Sequence, residues 1–387
     1  MLTPSVDAWN RGRRGRWEAV KTMQTVSLIT MVIVIASVAV YMAGGFIQHA
    51  LFIVFGVLYG YAIYKARICF ATAFYGDPNV MTAILISLAV ASLGSTFIVM
   101  NGLNVPPALP VGPHILIGSF LFGLVMPFTG GCITGVMFRF GAGHAKALAS
   151  ITGILVGNFL GSYFVWGVVE PFIDIGRGFS FFQILGPLGG LALNLCLIYV
   201  LLMIIWRPWR GLSQNFSIKS VISNMKQAFN SGWWPAWLGG LVIALVFIVQ
   251  FALYSSLSIQ LPIARFTLWS ASSLIDVEQV AWAVRWGVRE TFNDPLQLLV
   301  IGLVVGAMLG STSSGNFSCY MGGRRKDMVT GFLAGVFMGI VVWIAVGCNV
   351  SGFWASVATL RPEGWLYALG MFLGARTGMK ILTKMYL

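Results

Sequence analysis

Ten apolar runs, each close to the length one helix needs to cross a hydrocarbon core, dominate this chain. They fall near 24–44, 47–64, 80–100, 113–128, 147–168, 185–206, 236–256, 296–314, 329–347 and 365–383. About 20 apolar residues make one helical span, and backbone in lipid is satisfied only within helices or closed barrels. Soluble domains carry about 25% charged residues, whereas this chain of 387 residues carries 9% and is 58% hydrophobic. The expected fold is an all-α polytopic membrane protein, a bundle of about nine to ten transmembrane helices.

Charge sets the orientation. Of the 24 Lys and Arg residues, only Arg177, Arg265, Arg285, Arg289 and Arg361 fall on the side opposite the termini. The positive-inside rule therefore predicts cytoplasmic termini. The net charge of +13 is scattered between spans rather than gathered on a soluble face, so nucleic acid is not an expected partner. The basic start, RGRRGRWEAVK, precedes an apolar run without a small-residue cleavage site, which reads as an uncleaved first span. The expected layout is a basic cytoplasmic N-terminus over 1–23, a first membrane half over 24–206, a basic cytoplasmic connector over 207–235 and a second half over 236–387. An external segment, 257–294, includes DVEQVAWAVRWGVRE, whose helical spacing and tryptophans suit the membrane interface. Neither a nucleotide-phosphate loop nor a sizeable soluble domain is evident, which argues against a built-in ATPase motor.

The chain is internally duplicated. Gly56, Gly60, Cys69 and Asp77 follow the spacing G-x3-G-x8-C-x7-D, and Gly306, Gly310, Cys319 and Asp327 repeat it 250 positions later. Gly123 precedes Cys132 by nine residues, as Gly339 precedes Cys348. Downstream, Gly153, Gly157 and Gly161 match Gly370, Gly374 and Gly378 with a one-residue adjustment. Such GxxxG rows let helix backbones approach closely in lipid. Cys69 and Cys132 are 63 residues apart but Cys319 and Cys348 only 29, a difference of one span and its loop. By span counting the first elements share an orientation and the second elements oppose each other. A clean inverted repeat would need some stretches to be short, broken or re-entrant.

The breaks are where chemistry is expected. The apolar run from Gly118 is interrupted at Phe128-Thr129-Gly130-Gly131, and Cys132 follows. Backbone freed within a membrane is tolerated only where protein or a watery cavity covers it. Cysteine usually packs as a small hydrophobe, and Cys196, in NLCLIYVLL, keeps that reading. Cys69, Cys132 and Cys348 are flanked by glycine and polar residues at matching positions and are the candidate substrate-path residues; Cys319, in FSCYMGG, is the weakest of the set. Gly131, Gly347 and Asn349 flank the motif cysteines and join the set, since backbone N–H groups at a half-helix start can face an anion. Arg139 either draws an anion inward or anchors its span by charge, and Lys65 and Arg67 carry the same two readings. Asp77 and Asp327 are expected to cap turns.

A thiol is a weak donor and acceptor, soft and polarizable. It suits a sulfur atom bearing diffuse negative charge and not a hard cation, which wants oxygen ligands. Soft metals, Cu(I) above all, stay open on the same ground, although His49, His114 and His144 lie outside the cysteine motifs. No short-spaced cysteine pair argues for a disulfide framework or zinc, so neither a metal site nor a cofactor is expected. Few ionisable residues lie within the spans, which disfavours a carboxylate proton relay. A membrane thiol enzyme taking up sulfane sulfur lacks a paired CxxC or a nearby base, so no catalytic residue is assigned.

The stretches KARICFATAFYGD, GGCITGVMFRFGAGH and VGCNVSGFWASVATLRPEGW, with their glycine row, resemble the YeeE/YedE sulfur-transport family over about 50–165 and 300–380. The resemblance implies a bacterial inner-membrane uptake protein with an hourglass of full and short helices around a narrow path for thiosulfate or a related sulfur species. It further implies a hand-over of the anion through S–H···S contacts, here at Cys69, Cys132 and Cys348, and a cytoplasmic sulfur-carrier or rhodanese-like partner. Some members are linked to selenium compounds instead. This sequence departs from the family by its segment 257–294 and by GCNVSG, one residue longer between cysteine and glycine than GCITG.

Overall fold

A computed structural model describes residues 6–106, 110–174, 178–206, 232–273, 287–317 and 325–386, with positions 276, 280 and 283; over 6–22 it describes the backbone alone. Cys319, most of the connector and most of DVEQVAWAVRWGVRE lie outside the described residues.

The helices are α1 (Val6–Ala43), α2 (Ile47–Ala66), α3 (Phe70–Tyr75), α4 (Pro78–Met100), α5 (Pro113–Thr129), α6 (Ile133–Gly141), α7 (Ala145–Leu160), α8 (Trp166–Asp174) and α9 (Phe181–Trp206). Beyond the connector come α10 (Ala236–Leu253), α11 (Gln260–Ala271), α12 (Pro295–Ser313), α13 (Arg325–Ile344), α14 (Ser356–Ala358) and α15 (Glu363–Tyr386). Two π turns, Gly161–Val165 and Asn349–Ala355, lead into α8 and α14.

Nine stretches among the described residues are long and apolar enough to cross a membrane. The tenth expected span falls in α15, whose 24 residues are long enough but include Glu363, Arg376, Lys380 and Lys384. Large apolar side chains such as Leu28, Phe97, Phe164 and Leu188 stand exposed, as lipid-facing positions should. The protein is a multi-pass membrane protein.

Helix starts are fixed locally. Asp77 and Asp294 each precede a proline and cap α4 and α12, accepting from the backbone N–H groups of Asn79 and Val80, and of Leu296. Proline suits the first helical position because its missing donor would be unused there. Asp294 is fully buried and also pairs with Arg265 at 3.0 Å.

Three helix pairs make the centre: α2 with α12, α5 with α15 and α7 with α13. The glycine rows are the contact faces. Gly157 backs onto the Val336 carbonyl, and its counterpart Gly374 onto that of Phe120, with no room for a methyl at either. Successive contacts also give direction. Gly56 meets the Leu299 carbonyl and Gly60 that of Leu303, so α2 and α12 run parallel. Gly118, near the start of α5, instead meets Ala345, just past the end of α13, so these counterparts run antiparallel. Parallel first elements and opposed second elements are the arrangement span counting gives.

Candidate functional site

Each motif cysteine described occupies the same local position: the N-cap of a short helix that follows the unwinding of a longer one. Cys69 precedes α3, Cys132 precedes α6, and Cys348 precedes the π turn Asn349–Ala355, all with extended backbone. Two residues earlier the chain turns left-handed in every case, at Arg67 (φ 53), Gly130 (φ 85) and Val346 (φ 53). Arg and Val rarely adopt that conformation; it costs an L-residue about 1–2 kcal/mol. Glycine takes that conformation freely at Gly130, so the strain falls at Arg67 and Val346, and strained backbone of this kind clusters at functional sites.

The three short helices converge. Phe353 of the π turn packs edge-on against Phe70 and Phe74 of α3 at 6.2 and 5.5 Å between ring centres. The Cys69 and Cys132 sulfurs come together over Gly135, close enough that a methyl on its Cα would meet both. The Cys132 sulfur also accepts from the Gly135 N–H at 3.3 Å. Cys348 lies within electrostatic reach of Cys132, and the Tyr367 hydroxyl within reach of both. That hydroxyl donates to the Gly347 carbonyl at 3.1 Å. All three thiols are free and buried, whereas Cys196 is free and exposed.

The longer spacing of GCNVSG has a structural counterpart. Cys132 and Gly135 are three apart on an α-helical turn, while Cys348 and Gly352 are four apart on a π turn. A π turn is how a helix absorbs one extra residue, and such turns are frequent at functional sites. The register gives Ser351 a double role, accepting from the Cys348 N–H at 3.1 Å and donating to its sulfur at 3.6 Å.

Two cavities approach the cluster. One, of about 270 Å³, is lined by Ser255, Ser256, Ser258, Gln260, Ser351 and Arg361, so its wall reaches the hydroxyl bound to Cys348. Arg361 is held there by Thr359, Ser356 and Glu363. The other, of about 450 Å³, is lined by Tyr75, Arg376, Lys380 and Lys384 among others. The Tyr75 hydroxyl lies within electrostatic reach of Cys69, Cys132 and Arg139.

The remaining candidates sort by contact. The Arg139 guanidinium folds back over the turn at Gly130 and Gly131 and interacts with Cys69. Gly347 (φ 146) follows left-handed Val346 and completes the break before Cys348. Asn349 is fully buried, and neither polar atom of its side chain has a partner. Lys65 instead donates to the Gly232 carbonyl and the Ser314 hydroxyl, and exposed Arg67 stacks on Trp233 at 3.6 Å.

Sequence reasoning missed Gly135, Ser351, Tyr75, Tyr367, Arg361 and Arg376. Gly135 and Ser351 stand inside motifs already singled out, so their spacing from the cysteine was the available signal. Arg361 was visible as one of few basic residues on its side. The tyrosines come near the thiols only through tertiary packing.

Comparison with known proteins places this architecture. A family model described as sulphur transport matches residues 65–377. A probable transporter YedE of Escherichia coli K12 is 32% identical over 157 residues, 39% of this chain and 39% of that protein, so the match spans about two fifths of that relative. Thiosulfate transporter TsuA of Spirochaeta thermophila is 26% identical over 350 residues, 85% of this chain and 97% of its own, and the Escherichia coli K12 protein of the same name is 23% identical over 340 residues, 83% and 91%. With its core of broken helices inside the matched region, the chain belongs to the sulphur transport family.

Proposed function

We propose that this protein carries a small sulfur-containing anion, thiosulfate first among them, across the bacterial inner membrane by way of Cys348, Cys132 and Cys69. The observation that carries the reading is the convergence of three buried, free thiols, each at the start of a short helix, two of them packed together over Gly135. Weak, polarizable S–H donors match the diffuse charge of a terminal sulfur. The match to relatives named as thiosulfate transporters over more than four fifths of the chain supports the same substrate.

The cavities supply the ends of the route. The anion is gathered beside Arg361 and Ser351, meets Cys348, passes to Cys132 and Cys69, and leaves past Tyr75 toward Arg376, Lys380 and Lys384. The excess of basic residues supports a cytoplasmic side for this second mouth and for both termini. A cytoplasmic sulfur-carrier or rhodanese-like protein would receive the anion there. The decisive experiment is uptake of labelled thiosulfate by the purified chain in liposomes. Cys132→Ala is expected to abolish it, and undiminished uptake in that variant would refute the thiol route. Competition by selenite or Cu(I) identifies a different cargo if either displaces thiosulfate.

A further inference from the structure

The two cysteine breaks in the duplicated second element are not chemically equal. After Cys132 comes Ile133, buried and apolar, and then Thr134, whose one hydroxyl is buried without a partner. After Cys348 comes Asn349, equally buried, with its side-chain N–H₂ and carbonyl both unpartnered. The large majority of buried side-chain polar atoms are paired, and each exception needs an explanation. The second helix start also has one residue more, which turns it into a π turn. That same residue supplies Ser351, which touches the Cys348 sulfur and lines the cavity leading to it.

We propose that the π turn after Cys348 is the selectivity site of this transporter: the Asn349 amide binds the oxygen-bearing end of an oxyanion of the thiosulfate type while the terminal sulfur lies against Cys348. The proposal rests on the transport reading above and adds a division of labour to it. Cys348 with Asn349 recognises sulfur and oxygen together. Cys132, beside Cys69, has apolar Ile133 in the place of the amide and only the single Thr134 hydroxyl beyond it, so it holds the oxygen-bearing end less fully and passes the anion on. The amide N–H groups donate to sulfonate oxygens, and its carbonyl accepts from a thiol or from water travelling with the anion. An uncharged donor suits this place, since a buried cation would hold an anion that must leave.

The test uses the full chain in liposomes, with thiosulfate as transported probe and bisulfide, which has the sulfur and lacks the oxygens, as competitor. Asn349→Ile copies the Cys132 break. Its KM for thiosulfate should rise about tenfold, equivalent to about 1.4 kcal/mol, with Vmax little changed. Bisulfide should compete correspondingly better than against the unmodified chain. Asn349→Ser, which keeps one small donor, should fall between the two and provides the reading if the isoleucine variant does not fold. Unchanged KM and unchanged competition in either folded variant would overturn the assignment while leaving the transport reading intact. Absence of thiosulfate uptake by the unmodified chain would overturn both.

Discussion

The sulfurs of Cys69 and Cys132 both crowd the space over Gly135: a methyl placed on its Cα would stand 2.8 Å from the first and 3.4 Å from the second. Gly135 lies within a helix, so a left-handed backbone is not what requires glycine here. Space for two large, polarizable atoms does.

Gly135→Ala should therefore fold and reach the membrane, because alanine favours a helix by about 1 kcal/mol over glycine. Thiosulfate uptake should nevertheless fall at least tenfold, as the methyl displaces the two sulfurs. Uptake by the purified variant, beside its melting temperature, separates the two effects. Uptake close to that of the unmodified chain would mean that the thiol pair does not need its present spacing.

The four described cysteines should divide by burial. Alanine at Cys69, Cys132 or Cys348 is expected to abolish uptake, whereas Cys196→Ala, at an exposed position, should leave it within about twofold, as surface substitutions usually do. The same uptake assay on the four single variants decides this. Serine at the three buried sites should rescue little, because a hydroxyl lacks the softness of sulfur.

Arg67 is predicted to matter for backbone rather than charge. Arg67→Gly removes an unfavourable left-handed residue, a gain of about 1–2 kcal/mol, and loses stacking on Trp233, worth about 0.5–1 kcal/mol at an exposed site. Stability by thermal unfolding should be nearly unchanged, and uptake retained. Loss of uptake would restore Arg67 to the anion's route.

Asp294 tests the scaffold. Asp294→Ala removes the cap of α12 and leaves the Arg265 guanidinium buried without this carboxylate. Breaking a buried pair from one side costs about 3–5 kcal/mol, so the melting temperature should drop markedly. Asp294→Asn, which keeps the capping oxygen, should lose less.

Much of this architecture was legible from spacing. The glycine rows announced which helix faces meet, because in lipid only small residues let backbones touch, and the contacts of Gly157 and Gly374 follow directly. Cys69, Cys132 and Cys348 stood out because matched positions beside glycines are where helices break. Lys65 illustrates what spacing hides: four residues before Cys69, it is drawn to Gly232 at the end of the connector and to Ser314 at the end of α12. Tyr367 lies far from any motif in sequence and joins the cluster only because α15 packs along α5. The last span, 365–383, was legible although Arg376 and Lys380 lower its hydropathy; that these residues line a basic cavity was not.

The π turn after Cys348 has an evolutionary consequence. An added residue would ordinarily rotate everything downstream by about 100° and misalign a helix interface. Here the widened turn takes up the insertion, and the glycines of α15 still meet α5 as those of α7 meet α13. One copy of an ancestral unit could thus acquire new side chains at its working end while the dimer-like seam inherited from duplication stayed closed.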